Sequence, residues 1–175
     1  TLNNRVTRNY LDFFPSANVA YNASPNHVLS ANYARKITRP NYRYLNPFEW
    51  FVDKYTSQRG NAYLNPEYTN SISLNYTLNK IFNFSLGTDI TNGAIVESLG
   101  QDTQTGQGWV TRDNLGKSRS TYLNANIPVR IGKIWSSNNN LTGIHMSFEG
   151  PIAGAYLNTS STFFQGRSTH NFRFS

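Results

Sequence analysis

The sequence contains no cysteine, which excludes disulfide frameworks and thiolate metal sites. No apolar run approaches the ~20 residues of a membrane-spanning helix, and nothing at the start reads as a signal peptide. Neither absence excludes a membrane, because a barrel strand crosses with about 9–11 residues and a single apolar face. A missing leader is equally what a mature chain or a fragment shows. Charged residues make up only 14% of the 175 positions, and Lys, Glu and Ala, the favoured helix formers, are few. His27, His145 and His170 stand far apart and lack metal-ligand spacing. The nine carboxylates form no short-range pair of the kind glycoside hydrolysis needs. "GKS" at 116–118 lacks the preceding glycine of a phosphate-binding loop. The expectation is a protein that is not an enzyme and has no catalytic residues, cofactor or metal.

What is present points to strands. Aromatic residues reach 14%, which argues against disorder. Asn, Ser, Thr and Tyr fill the space left by charge, and β-branched and aromatic residues alternate with Asn/Gly turns. The net charge is +7, but the basic residues are scattered. The nearest approach to a cluster is Arg35, Lys36, Arg39 and Arg43, so no nucleic-acid partner is expected.

Period-two alternation is the main signal. From Phe13 to Ala23 it places Ala17, Val19, Tyr21 and Ala23 on one face, and from His27 to Thr38 it places Leu29, Ala31 and Tyr33. Glu67 to Leu78 is the clearest case, with Ile72, Leu74, Tyr76 and Leu78 opposing Ser71, Ser73, Asn75 and Thr77. Phe82 to Thr91 alternates likewise. A long strand is expected from Trp109 to Arg130, then one from Asn140 to Gly150 carrying Ile144, Met146 and Phe148 on one face, then one starting at His170.

Between these lie a turn at 24–26, a long segment at 40–66, a turn at 79–81, a polar loop near 97–108, a turn at 131–139 and a Gly/Ser/Thr-rich loop before His170. Short and long connections therefore alternate, so an up-and-down sheet carries tight turns at one end and long loops at the other. That is the asymmetry of outer-membrane barrels. The polar faces carry Ser, Thr, Asn and Gly rather than Lys and Glu, which suits a wet lumen. Tyr33, Tyr68, Tyr76 and Phe82 lie toward strand ends, where an aromatic girdle sits. The reading is all-β: an antiparallel, up-and-down transmembrane β-barrel segment of about seven strands. A soluble or surface β-sandwich that binds carbohydrate, or a structural outer-membrane anchor barrel, are the alternatives.

At Arg39–Phe48, "RPNYRYLNPF", and Gly60–Thr69, "GNAYLNPEYT", the chain resembles the outer-membrane β-barrel region of TonB-dependent receptor-like proteins, in the version abundant in Bacteroidetes. "FFPSANVAYNAS" at 13–24 and "NLGKSRS" at 114–120 match in the same order. Ala62 stands where the family often has Pro, and Asn65 where Lys is frequent. The resemblance covers most of the chain, taken as one partial barrel domain over 1–175 with 40–66 as an extracellular-type loop. It implies the bacterial outer membrane, contact with outer-membrane lipid, and nutrient uptake through TonB-type energy coupling. It also implies that the rest of the barrel and a plug domain lie outside this sequence.

The motif residues have a physical reading of their own. Arg39 and Pro40 end a strand, since Pro40 has no N–H for the ladder. Asn46 and Pro47 belong to the loop, Gly60 and Asn61 support a turn, and Pro66 sets extended backbone before the strand at Glu67. Tyr42, Tyr44, Trp50, Phe51 and Tyr55 either shape the loop or present a ligand-contact surface, because loop aromatics stack on sugars or rings and equally pack on neighbouring loops. An open edge in hydrocarbon leaves backbone groups unpaired, so the first and last strands are expected to pair with chain beyond this sequence.

Overall fold

The computed structural model describes residues 11–152 and 155–174. In chain order the elements are β1 (Ser16–Ser24), β2 (His27–Thr38), the single helical turn α1 (Tyr42–Leu45), β3 (Glu49–Phe51), β4 (Thr56–Arg59), β5 (Glu67–Leu78), β6 (Phe82–Asn92), β7 (Ile95–Gln101), β8 (Gly108–Asn114), β9 (Lys117–Ile131), β10 (Trp135–Ile152) and β11 (Ala155–Phe172). Seven of them form one sheet in the order β1-β2-β5-β6-β9-β10-β11, antiparallel at every pair. The other four form a second sheet, β3-β4-β8-β7.

The alternation read in the sequence sets the faces of the large sheet. One row across it runs Val19, Ala31, Leu74, Leu86, Leu123, and the next toward the tight turns runs Tyr21, Leu29, Tyr76, Phe84, Ala125. The row between them, on the opposite face, is Ala20, Ser30, Asn75, Ser85, Asn124, Thr142. No second layer covers the apolar face: Val19 is 66% exposed, Leu74 54% and Leu123 56%. Leu64 and Ala94 are the buried hydrophobic residues among those described. A sheet with an uncovered apolar face and almost no core among the described residues has the form of a barrel wall whose outer face meets hydrocarbon. On the polar face Tyr122 lies across its cross-strand neighbour Gly87, filling the place where a Cβ would stand.

The tight turns sit at one end, at 25–26, 79–81 and 132–134, and the long connections 39–66 and 93–116 at the other. Asn79 and Lys80 adopt φ of 54° and 58°, the left-handed pair that a tight hairpin requires. Asn79 N–H donates to the Asn26 carbonyl at 2.7 Å, tying adjacent turns together. Residues 153 and 154, between β10 and β11, lie outside the described residues.

Four expectations are corrected. The long strand from Trp109 to Arg130 is two strands, because the chain leaves one sheet and enters the other at Leu115–Gly116. Gly116 has φ of +106°, and a Cβ there would stand 2.1 Å from the Glu149 carbonyl oxygen. The turn at 131–139 occupies only 132–134, since β10 begins at Trp135. The polar loop near 97–108 is mostly the β7–β8 hairpin. The Gly/Ser/Thr-rich stretch before His170 is β11, paired with β10 from Trp135–Phe172 to Ile152–Ala155. It reads as loop because polar residues occupy much of both its faces. The strand at His170 is the end of β11, so the count of seven stands with its last member displaced.

The register also places Ile144, Met146 and Phe148 opposite Tyr122, Ser120 and Ser118, on the polar face. The outward positions of upper β10 are Gly143, His145 and Ser147, in line with Leu123, Thr121 and Arg119. Pro128 lies just past the last β6–β9 pair, Asn83–Asn126, opposite Asn138 of β10, where β9 is paired on one side only and a residue without an N–H is tolerated.

Candidate functional site

The two long connections rise from the same end of the wall and interlock. The β3–β4 hairpin of the first and the β7–β8 hairpin of the second are joined by a parallel pairing, Thr56 with Gly108, Ser57 with Trp109 and Gln58 with Val110. Each hairpin is closed by an aspartate. Asp53 accepts from Tyr55 N–H at 2.7 Å and Thr56 N–H at 2.8 Å, which hold its carboxyl below the ordinary value, led by the Tyr55 bond. Asp102 is lowered in the same way, chiefly by Gln104 N–H and then Thr105 N–H.

Asparagines knit this layer to itself and to the wall. The Asn61 side chain donates to the Arg112 carbonyl at 3.0 Å and to the Asp113 carboxylate at 2.6 Å, and accepts from Tyr63 N–H at 2.9 Å. Its backbone N–H donates to the Tyr44 carbonyl at 2.7 Å. Asn114 exchanges two bonds with the Asn65 backbone and donates to the Gly93 carbonyl. Glu67, the first residue of β5, accepts from Ile95 N–H at 2.5 Å. Leu64 is fully buried and Pro66 is buried beneath this junction.

Arginines and aromatics supply the remaining contacts. Arg59 lies 3.9 Å over the Trp109 ring, whose indole in turn covers Gly100. Arg112 lies 4.2 Å over Tyr44 and pairs with Glu97 at 3.5 Å. Arg43 lies 5.4 Å from the Trp50 ring and Lys54 5.5 Å from Tyr55. Such contacts contribute roughly 0.5–1 kcal/mol each where exposed.

The residues singled out from the sequence thus divide by role. Tyr44 and Trp50 are half-buried under arginines, whereas Tyr42, Phe51 and Tyr55 point outward at 82%, 68% and 63% exposure. Arg39 is exposed beyond the end of β2, and Pro40 and Pro47 follow in the loop. Asn41 caps α1 by accepting from Arg43 N–H, and the Asn46 side chain accepts from Phe48 N–H. Gly60 is required by close approach, since a Cβ there would stand 2.0 Å from the Asn46 carbonyl oxygen. Sequence reading missed Arg59, Arg112, Trp109 and Glu97, and it missed Phe48 and Tyr63, both exposed at the loop surface. The available signal was cations interleaved with aromatics through 39–59, which looked like scatter. Among the described residues there is no cluster of three or more metal-binding side chains.

An antiparallel wall with one uncovered apolar face, a polar face of Asn, Ser and Thr, tight turns at one end and a folded layer at the other is the wall of an outer-membrane β-barrel. The chain belongs to the outer membrane protein β-barrel family, whose profile matches residues 1–175, and this places it in the bacterial outer membrane. No match was found among curated proteins. The fold resembles that of the siderophore receptor PirA from Pseudomonas aeruginosa, with a TM-score of 0.64 and 17% identity over 94% of this chain and 36% of that one. It also resembles a mutant of the ferric enterobactin receptor PfeA from Pseudomonas aeruginosa, solved with enterobactin, at TM-score 0.59 and 13% identity over 94% and 33%. PirA from Acinetobacter baumannii matches at TM-score 0.55 and 14% identity over 94% and 35%. The chain spans about a third of the length of these receptors.

Proposed function

We propose that the chain is part of the barrel of a TonB-dependent import receptor, with the turn end toward the periplasm and the interlocked layer outside the cell. In this reading the layer over 39–66 and 93–116 takes part in capturing a nutrient. A plug domain fills the lumen, and TonB-type coupling drives release inward. The observation that carries the reading is the layer itself. Two non-adjacent connections form one sheet held by the Asn61 and Asn114 contacts, and it presents Tyr42, Phe51 and Tyr55 to solvent. Surface loops with no binding task have little reason to be ordered to this degree. Exposed aromatic faces on a rigid support suit stacking on planar or sugar-like ligands.

The uncovered outer face supports a barrel over a soluble β-sandwich, whose second sheet would bury Leu74, Leu86 and Leu123. The test uses the full-length protein in cells. Uptake is measured for a panel of labelled ferric siderophores and oligosaccharides, with and without a protonophore. Energy-dependent uptake of one compound that is lost on replacing Tyr42, Phe51 and Tyr55 with Ala supports the reading. Tight surface binding with no energy-dependent uptake would instead fit an anchor barrel.

A further inference from the structure

On four adjacent strands the apolar run of the outer face ends, toward the interlocked layer, in a polar residue. Leu29, Ala31 and Tyr33 give way to Arg35 in β2, and Leu74 and Ile72 to Asn70 in β5. Leu86, Thr88 and Ile90 give way to Asn92 in β6, and Leu123 and Thr121 to Arg119 in β9. Arg35, Asn70, Ile90 and Arg119 lie in one register row. Arg35 rests over the Tyr68 ring at 5.0 Å, and Tyr33 O–H donates to the Asn70 side chain at 2.9 Å. Tyrosines of this kind settle at headgroup depth.

Below this rim the outer face is grooved. A cleft of about 430 Å3 lies under Arg119, between Ile72, Leu74, Leu86, Ile90 and Thr121. A second, of about 370 Å3, continues from the shared Leu74 and Leu86 toward the turn end, lined by Tyr21, Leu29, Tyr76 and Phe84. The register puts each of these side chains on the outer face together with Arg119, so the cation and the groove belong to one surface. The two clefts reach from the row of Arg119 to that of Ala125, about 20 Å along the strands. The floor of the first is β5, β6 and β9, each paired on both sides within this chain, so no further strand enters between them.

We propose that this groove holds an acyl chain of a phosphorylated glycolipid of the outer leaflet, with the phosphate on Arg119. Charge complementarity selects the phosphate, because a guanidinium at the head of an apolar channel grips phosphate oxygens with two parallel bonds. The register neighbours of Arg119 are Ile90 and Ser147, which carry no charge. Lys117, the next outer position, lies opposite Glu149, which offsets its charge and leaves Arg119 as the partner of the anion. Asn70 and Asn92 bring amide groups to the same rim, and these suit the hydroxyls of a sugar. The inference rests on the orientation proposed above, with the layer outside the cell, and is independent of the imported nutrient.

The test places the full-length protein in phosphatidylethanolamine nanodiscs holding equal amounts of phosphorylated lipid A, its dephosphorylated form and phosphatidylglycerol. Lipids retained on the protein are counted by native mass spectrometry. The expected result is a preference for the phosphorylated over the dephosphorylated glycolipid of about fivefold or more, lost in Arg119→Gln. Arg130→Gln with Arg173→Gln, on the inner face near the turns, is expected to leave that preference intact. Leu86→Trp fills the groove and is expected to lower retention of both glycolipids. High salt is expected to erode the preference of the unaltered protein, a readout that needs no variant to fold. Equal retention of the two glycolipids by the unaltered protein overturns the proposal, as does a preference that survives Arg119→Gln. Retention of phosphatidylglycerol above the phosphorylated glycolipid overturns it too, by assigning the groove to a plain phospholipid. A Tyr42→Cys variant that an impermeant maleimide fails to label on intact cells overturns it through the orientation, and so separates failure of the proposed function from failure of the groove.

Discussion

Gly60 and Asn61 lie where the first long connection turns back toward the wall, and the surroundings leave each of them little freedom. Any side chain at Gly60 meets the Asn46 carbonyl, a backbone atom that cannot rotate away, so Gly60→Ala is expected to cost about 1–3 kcal/mol. Asn61→Ala removes two donated bonds and one accepted bond, an expected loss of about 1–3 kcal/mol. Both changes are expected to speed proteolytic cleavage within 39–66 while leaving the barrel's resistance to heat unaltered. The aspartate caps respond to pH. Asp53 and Asp102 titrate below their ordinary value when folded, so their contribution is complete above about pH 4 and is lost as pH falls through the lowered value. The protection of the Tyr55 and Gln104 amides against hydrogen exchange, relative to the intrinsic rate at each pH, is expected to fall only in that acid window. Gly60 and Asn61 were legible in the sequence as turn residues. The arginine partners were not, because Arg59 meets Trp109 and Arg112 meets Tyr44 across 50 and more positions, through a pairing that no local pattern announces.

Among the elements, those with neighbours on both sides and hydrocarbon on one face were the easiest to read. β2 and β5 appear in the sequence at the bounds they have in the fold, since lipid on one side and a wet lumen on the other force strict alternation. Leu74→Arg on the outer face is therefore expected to cost roughly 2–4 kcal/mol and Ser73→Arg on the inner face much less, as measured by folding into lipid vesicles. β10 gives a sharper test. Leu141 faces outward, but Met146, which the sequence groups with Ile144 and Phe148 on one apolar face, faces inward. Leu141→Arg is thus expected to impair membrane folding, and Met146→Arg to be tolerated. The stripe misleads because Gly143 holds the outward place next to Leu141, so the apolar residues shift from odd to even positions within one strand. β3 and β4 are three and four residues long, too short for any period to show. β11 hid its strand character in a composition rich in Ser, Thr, Asn and Gln on both faces.

On the scale of the whole molecule, the wall and the upper layer follow different rules. The wall is built from neighbours in sequence paired antiparallel, whereas the layer joins residues 56–58 to 108–110 in parallel. Gly116→Ala attacks the seam between them, where the backbone is left-handed and Glu149 presses close. It is expected to loosen β8 from β9 without dispersing the seven-stranded sheet, detected as new cleavage near residue 115. The parallel pair also carries a consequence for the order of events during folding. Contacts between distant segments form only after the chain between them has been drawn together. β4 and β8 can meet only once the β5–β6 hairpin lying between them in sequence stands in the wall. The upper layer therefore forms after that hairpin, and a probe between residues 57 and 109 would report the moment at which β5 and β6 have taken their places in the wall.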